Sequence, residues 1–360
     1  MKKKKIIHIV EAFGGGVFTY LVELANSMAD EFDIVIAYSK RKQTPDDFKM
    51  YFDERIKLVE IKNFTRSINP SKDLRACAEI RKLIKEEQPD IVHIHSSKAG
   101  IIGRLIITSK DKKLFYTPHG YSFLKQDDSK MKRLVYKAIE KTTATLNKNC
   151  KIVACSKGEY KESLKLSKNS TYINNGVNTR EIDEFIETKQ EYKTDVNNLK
   201  ICTIGRIGYQ KNPELFNQIA EKFPNIQFTW IGDGELRQNL KSSNIKVTGW
   251  KNRKDVLSEL EKNDIFILPS LWEGLPLALL EAMYLKKVCI VSNVIGNRDV
   301  IENDQNGFVC NNLADYVNTI KHIQNGNCNL AFIGNNANRD ILDEYNVSIM
   351  SKKYEQLYIK

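Results

Sequence analysis

Two doubly wound α/β domains facing a central cleft are predicted by three features of this 360-residue chain. Short runs of β-branched and aromatic residues alternate with helix-period segments from end to end. The alternation breaks once, across a polar stretch at residues 178–198 rich in Lys, Glu, Thr and Asn, which reads as a linker with a little helix. It then restarts with Leu199, Lys200 and Ile201, so that each half builds its own parallel sheet covered on both faces.

The elements follow in order. Residues 6–10 (Ile-Ile-His-Ile-Val) are the first strand, closed by Gly14, Gly15 and Gly16 and followed by a helix over about 17–29. Strands are expected at 33–38, 57–61, 90–95, 114–117, 151–154 and 170–173, with helices at 74–86, 99–109 and 131–147 among them. The second half places strands at 199–205, 227–231, 245–247, 264–268, 288–291 and 307–310. An amphipathic helix over 347–359 ends the chain. These give domains at 1–180 and 181–340, with 341–360 returning as a helix onto the first.

Composition narrows the class. An apolar content of 41% and a charged content of 28% suit a water-soluble globular protein. The apolar runs fall short of a bilayer span, and Met1-Lys2-Lys3-Lys4-Lys5-Ile6 does not open a signal peptide, so a cytoplasmic chain is expected. Seven scattered cysteines with no C-x-x-C pair read as reduced thiols. The net charge of +11 is uneven: residues 1–180 hold 35 Lys+Arg against 21 Asp+Glu, while the remainder is slightly acidic. A basic first half suits an anionic membrane surface or a lipid-linked phosphate. Nucleic acid is not expected, because zinc-finger and RNP-type motifs and an aromatic-basic array are all missing.

Ligands of open parallel sheets bind beyond the carboxyl ends of the strands, so the loops there carry the functional reading. Gly14-Gly15-Gly16 allows close backbone approach to a phosphate or sugar, but Thr19 breaks the dinucleotide pattern and the second strand ends without the acidic residue that NAD requires. In the second half Arg206 and Lys211 flank a turn that opens a helix at Pro213, offering a planar fork and a point charge to a diphosphate. Glu273 and Glu281 lie eight residues apart across a loop-to-helix junction turned by Pro276, where the amides around Gly274, Leu275, Leu277 and Ala278 favour an anion. His119, beside Gly120 at a strand's end, is a candidate for hydrogen bonding to sugar. His93 and His95 face one side of a strand, but no further ligand is spaced to complete a metal site.

Taken together, the Glu273–Glu281 segment, Gly205-Arg206, Lys211-Asn212-Pro213, the Gly14–Gly16 loop, Thr117-Pro118-His119-Gly120, Asn175-Gly176-Val177 and Thr248-Gly249-Trp250 resemble retaining glycosyltransferases of family 4. The resemblance spans essentially the whole chain, and the run from Thr117 to Leu124 is similar to bacterial enzymes of capsule, exopolysaccharide or lipopolysaccharide assembly. It implies the GT-B fold of two Rossmann-like domains, the first holding the acceptor and the second the nucleotide sugar.

By that resemblance Glu281 holds the donor ribose, and Glu273 lies beside the transferred sugar. Arg206 and Lys211 grip the diphosphate with amides near Gly15, Gly16 and Gly274–Leu277. His119 bonds the donor sugar, and the backbone around Trp250 reads the base. The implied reaction moves sugar from a nucleotide donor, UDP favoured, to a glycan or polyprenyl-diphosphate-linked glycan, without metal or other cofactor. Lys98, Arg104, Lys132 and Arg133 are the cations expected to meet the acceptor or membrane, the last two on a helix whose other face is apolar. A UDP-sugar 2-epimerase and a non-catalytic nucleotide-sugar binder stay open as alternatives.

Overall fold

The computed structural model describes residues 3–65, 67, 69–108, 111–186 and 198–360. The chain forms two compact units. The first comprises Met1–Leu124, Asp128–Asn175 and Val347–Lys360, and the second comprises Lys125–Asp127 and Gly176–Asn346. Apart from the short excursion at 125–127, the chain passes between units at 175/176 and 346/347, where the sequence places boundaries at 180 and 340. Most of the expected linker lies outside the described residues.

The first unit opens with β1 (Lys4–Phe13), α1 (Gly15–Met28), β2 (Phe32–Lys40), β3 (Lys57–Glu60) and α2 (Pro70–Glu87). It continues through β4 (Ile91–His95), α3 (Ser97–Ile106), β5 (Lys113–Thr117), α4 (Lys130–Leu146), β6 (Lys151–Ala154), α5 (Lys157–Leu166) and β7 (Ser170–Tyr172). Its seven strands run parallel in the order β3-β2-β1-β4-β5-β6-β7. Both sheet faces are covered, which is why β1, β2 and β4 are almost continuously buried rather than alternating.

Local chemistry sets the helix starts. Pro70 begins α2 behind Asn69, whose side chain accepts from the Lys72 amide. In α3, Gly100 and Gly103 let the helix lie directly on Tyr116 of β5 and Ile94 of β4; a Cβ at either position would overlap those side chains.

The second unit begins with α6 (Thr179–Phe185), β8 (Lys200–Ile204), α7 (Pro213–Glu221), β9 (Gln227–Ile231) and β10 (Ile245–Val247). Then come α8 (Arg253–Glu261), β11 (Ile265–Leu268), α9 (Leu277–Tyr284), β12 (Val288–Ser292), β13 (Phe308–Cys310), α10 (Leu313–Gln324) and α11 (Leu330–Glu344). Its six parallel strands are ordered β10-β9-β8-β11-β12-β13 around a core that includes Phe216, Phe228, Trp230 and Tyr316. The final helix α12 (Val347–Ile359) belongs to the first unit, where Tyr354 and Tyr358 are fully buried and Tyr354 meets Tyr20 edge-on.

Each sheet has a point where strand order reverses, between β1 and β4 in the first and between β8 and β11 in the second. Connections leave to opposite faces there, opening a crevice at the strands' carboxyl ends. The loops that follow these strands are those singled out by sequence.

No helix among the described residues is long and apolar enough to cross a membrane, and all seven cysteines are free.

Candidate functional site

At the switch point of the second sheet, the loops after β8 and β11 meet. Gly205 adopts φ +138° and Asn212 φ +53°, so the chain turns sharply twice before Pro213 starts α7. Asn212 caps that helix through the Leu215 amide. Between the turns Lys211 reaches the other loop, with Nζ 2.7 Å from Glu273 Oε1. Gln210 reinforces the junction: its carbonyl accepts from Leu271 N at 2.8 Å and its side-chain amide donates to Trp272 O at 2.9 Å and Glu273 Oε2 at 3.3 Å. Glu273 is thereby held from two sides and is only 6% exposed.

Arg206 lies on the same loop but outward, its Nε donating to Glu235 at 2.8 Å. Glu281, in α9, is nearly buried and paired with Arg253 Nη1, while Arg253 Nε is 3.2 Å from Glu181. The first turn of α9 starts at Leu277 behind Pro276 with no side-chain cap. Gly296 packs so closely on the Gly274 carbonyl that a Cβ would overlap it, which locks the Gly274–Leu275 segment in place. Trp250 follows Gly249 (φ +76°) at the end of β10 and is 60% exposed.

At the corresponding end of the first sheet, Gly14 precedes α1 without a side-chain cap, Gly15 has φ +54°, and neither Gly15 nor Gly16 has an atom within 4 Å of where a Cβ would stand. His119 and Gly120 are both left-handed, at φ +52° and +91°. For a histidine this conformation costs on the order of 1 kcal/mol, a strain that tends to be kept where the side chain has a task. Glu159 pins the turn by accepting from Gly120 N at 2.6 Å and Cys155 N at 2.8 Å. Burial lowers the pKa of His119 to about 3, so its imidazole is neutral near pH 7 and offers hydrogen bonds rather than charge.

Of the four cations expected to face acceptor or membrane, Arg104 does not do so. Arg104 is 1% exposed, its Nη2 2.5 Å from Glu140 and its guanidinium stacked on Tyr116. It ties α3 to α4 inside the unit; a cation on a helix with glycines at i−1 and i−4 turns inward because the small residues leave room. Lys98 bonds Asp73 at 2.6 Å and the carbonyls of Thr65 and Ser67. Lys132 is exposed beside Asp128, and Arg133 is half-buried.

The sequence reading also missed partners. Arg253 and Gln210 carry no motif of their own and become visible only when the loops are folded together. The expectation that His93 and His95 lack a third companion is corrected: β1 lies beside β4 with His8 opposite His93, and all three ring systems cluster, a pairing that strand register creates and linear spacing hides.

Comparison with known proteins agrees with the two-domain fold. Residues 14–181 match the family described as Glycosyltransferase Family 4, and residues 184–340 the one described as Glycosyl transferases group 1. The chain is 32% identical, over 92% of its length and 89% of its relative's, to the UDP-Gal:alpha-D-GlcNAc-diphosphoundecaprenol alpha-1,3-galactosyltransferase of Escherichia coli. It is 26% identical, over 82% of its length and 81% of the relative's, to the Campylobacter jejuni GalNAc-alpha-(1->4)-GalNAc-alpha-(1->3)-diNAcBac-PP-undecaprenol alpha-1,4-N-acetyl-D-galactosaminyltransferase. In fold it is similar to Anabaena Alr3699/HepE, solved with UDP and glucose, at a TM-score of 0.77 and 16% identity, with 98% of this chain and 99% of that one covered.

Proposed function

This chain belongs to family 4 of the GT-B glycosyltransferases, and from that premise we propose that it transfers sugar from a UDP-sugar to a polyprenyl-diphosphate-linked glycan with retention of anomeric configuration. The observation that carries the reading is the junction of Lys211, Gln210 and Glu273 at the sheet's switch point, with the uncapped start of α9 beside it. The lipid-linked acceptor rests on the relatives from E. coli and C. jejuni, whose names specify undecaprenyl diphosphate acceptors.

In the proposed reaction the bond between the anomeric carbon and the diphosphate oxygen breaks, and the acceptor oxygen bonds the same carbon from the same face. The acceptor's proton passes to the departing diphosphate. Arg206 and Lys211, with the amides of Gly274, Leu275 and Leu277 and those of Gly15 and Gly16, neutralise the charge that develops on the leaving group. These groups take the place of a divalent metal, so a chelator should leave the rate unchanged.

Arg206 is free to change partners cheaply, because its pair with Glu235 is solvent-exposed and such pairs contribute about 0–1 kcal/mol. Arg206→Ala is expected to lower the rate about 100-fold. Glu281 accepts from the ribose hydroxyls, Glu273 contacts the sugar undergoing transfer, His119 hydrogen-bonds that sugar, and the backbone around Trp250 reads the base.

The acceptor's lipid anchor gives a reason for contact with an anionic membrane. Along α4, Met131, Leu134 and Val135 are at least half exposed, and Lys130, Lys132, Lys137 and Lys141 accompany them. A helix of this kind lies at a headgroup boundary with its apolar side chains inserted and its lysines on lipid phosphates. Co-sedimentation with vesicles should rise with anionic lipid content; indifference to that content removes the membrane contact.

The deciding assay incubates the protein with a panel of UDP-sugars and undecaprenyl-diphosphate-linked GlcNAc. It follows UDP release, product mass and the anomeric coupling constant of the new linkage. Inversion would refute the retaining course, and silence across the panel would refute the transferase reading.

A further inference from the structure

The core of the first unit contains a row of imidazoles. β1 and β4 pair with His8 opposite His93 and Val10 opposite His95, so His8, His93 and His95 rise on one face, and none of the three has exposed surface. His119 joins them from the loop after β5. Nδ1 of His8 is 2.9 Å from Nε2 of His95, and Nδ1 of His95 is 3.0 Å from Nε2 of His119. At the inner end, Nε2 of His8 is enclosed and without a partner. At the outer end, Nδ1 of His119 has no partner among the described residues and is not enclosed. His93 stands beside the row, bonded instead to the Tyr358 hydroxyl at 2.5 Å and Thr117 Oγ1 at 2.8 Å.

A neutral imidazole carries one N–H and one bare nitrogen. Two hydrogen bonds in series through three such rings can therefore be satisfied in only two ways: every ring protonated on Nδ1, or every ring protonated on Nε2. The inner end decides between them. Protonation on Nε2 would aim the His8 N–H into an enclosed place with no acceptor, whereas protonation on Nδ1 leaves only a bare lone pair there. Buried orphan donors are the rarer defect.

We propose that His8 and His95 are positioning residues that hold His119 in its Nδ1–H form, so that the nitrogen it offers to a ligand is a hydrogen-bond donor aimed at a sugar oxygen. The sugar as ligand rests on the function proposed above; the tautomer does not.

A metal ion is the competing use of three clustered histidines. Their ligand nitrogens lie within 4.8 Å of one another. A zinc–nitrogen bond is about 2.0–2.1 Å, so the more distant pairs would have to close in. The closest pair is already hydrogen-bonded, and the group contains no carboxylate to offset a buried divalent charge.

The chain has five histidines, few enough for long-range proton–nitrogen correlation on the uniformly 15N-labelled full-length protein to assign each ring's tautomer. His119 is expected as the Nδ1–H form. His95→Phe should return it to the Nε2–H form that free histidine favours, and His95→Asn, whose side-chain amide can donate to His119 Nε2, should keep it on Nδ1. Sugar transfer should fall about tenfold in the phenylalanine variant, in kcat more than in donor KM, and recover to within about threefold with asparagine.

An Nε2-protonated His119 in the wild-type protein overturns the proposal, whether or not the phenylalanine variant folds. So does a tautomer that ignores the exchange, or stoichiometric zinc retained after dialysis against the metal. An Nδ1-protonated ring that follows residue 95 in a protein inactive on every donor supports this inference and sinks only the functional one.

Discussion

Lowering the pH from 7 to 5.5 should selectively weaken the first unit. His8, His93 and His95 are completely enclosed, and burial lowers the pKa of His8 to about 3 and those of His93 and His95 well below the ordinary value. In the unfolded chain each returns to about 6.5. The folded state therefore binds fewer protons than the unfolded one, and acid favours unfolding. The stabilisation is fully present above pH 6.5 and is lost as the pH falls toward the folded values.

With folded values that low each ring takes up nearly one proton on unfolding at pH 5.5, and the loss relative to pH 7 is about 1 kcal/mol per ring, or about 3 kcal/mol for three. At an m-value of about 2 kcal/mol per molar urea, the midpoint should drop by about 1–2 M. The two units can be told apart because Trp230, Trp250 and Trp272 all lie in the second. Urea unfolding followed by tryptophan fluorescence reports that unit, and the remaining far-UV circular dichroism change reports the first. Burial raises the pKa of Glu140 in the same unit, which works in the opposite direction, since a carboxyl that binds its proton more tightly when folded gains stability as the pH falls. Uptake of less than one proton by the first unit, or equal acid shifts in both transitions, would refute the account of the histidine row.

Other outcomes follow from the same contacts. Glu281→Ala should chiefly raise donor KM and Glu273→Ala should chiefly lower kcat; identical kinetic effects would undo the division of roles. Arg104→Ala removes the ion-pair partner of buried Glu140, leaving only the Tyr116 hydroxyl against it, and should destabilise the first unit by about 3–5 kcal/mol in urea unfolding, without moving the second transition. Glu235→Ala removes only an exposed partner of Arg206, so UDP affinity by calorimetry should hold or tighten; a marked loss would place Glu235 in the ligand contacts instead.

The alternation of apolar runs and helix-period segments carried the fold, because parallel strands buried on both faces leave an unmistakable pattern in residues such as Ile6–Val10 and Ile265–Leu268. The site loops were legible for a related reason: glycine and proline at Gly205, Pro213, Gly274 and Pro276 punctuate the strand ends where ligands bind. What stayed hidden depends on packing. Arg104 and Arg133 look alike in the sequence, yet one is a core residue because Gly100 and Gly103 bring its helix against the sheet. His8 appeared to be one more residue of an apolar strand until its register with His93 was known. Arg253 pairs with Glu281 across 28 positions that contain a complete strand, and no local spacing encodes that.

The pairing of cations with carboxylates in the second unit also separates two kinds of proposed donor contact. Arg206 and Glu235 are 39% and 52% exposed in their side chains, so a phosphate can replace Glu235 at little cost. Lys211 and Glu273 are 17% and 8% exposed, and each is the other's compensation in a partly dry place. Removing Lys211 would leave the enclosed Glu273 carboxylate with only the Gln210 amide against it. Lys211 therefore holds Glu273 in place, in addition to the phosphate contact proposed for it. The double variant Lys211→Met with Glu273→Gln should be more stable than the sum of the single losses predicts, by about 1 kcal/mol or more. In kinetics the two single losses should likewise not add. Strict additivity in both measurements would mean that the two side chains act independently, and that their contact has no part in holding the donor.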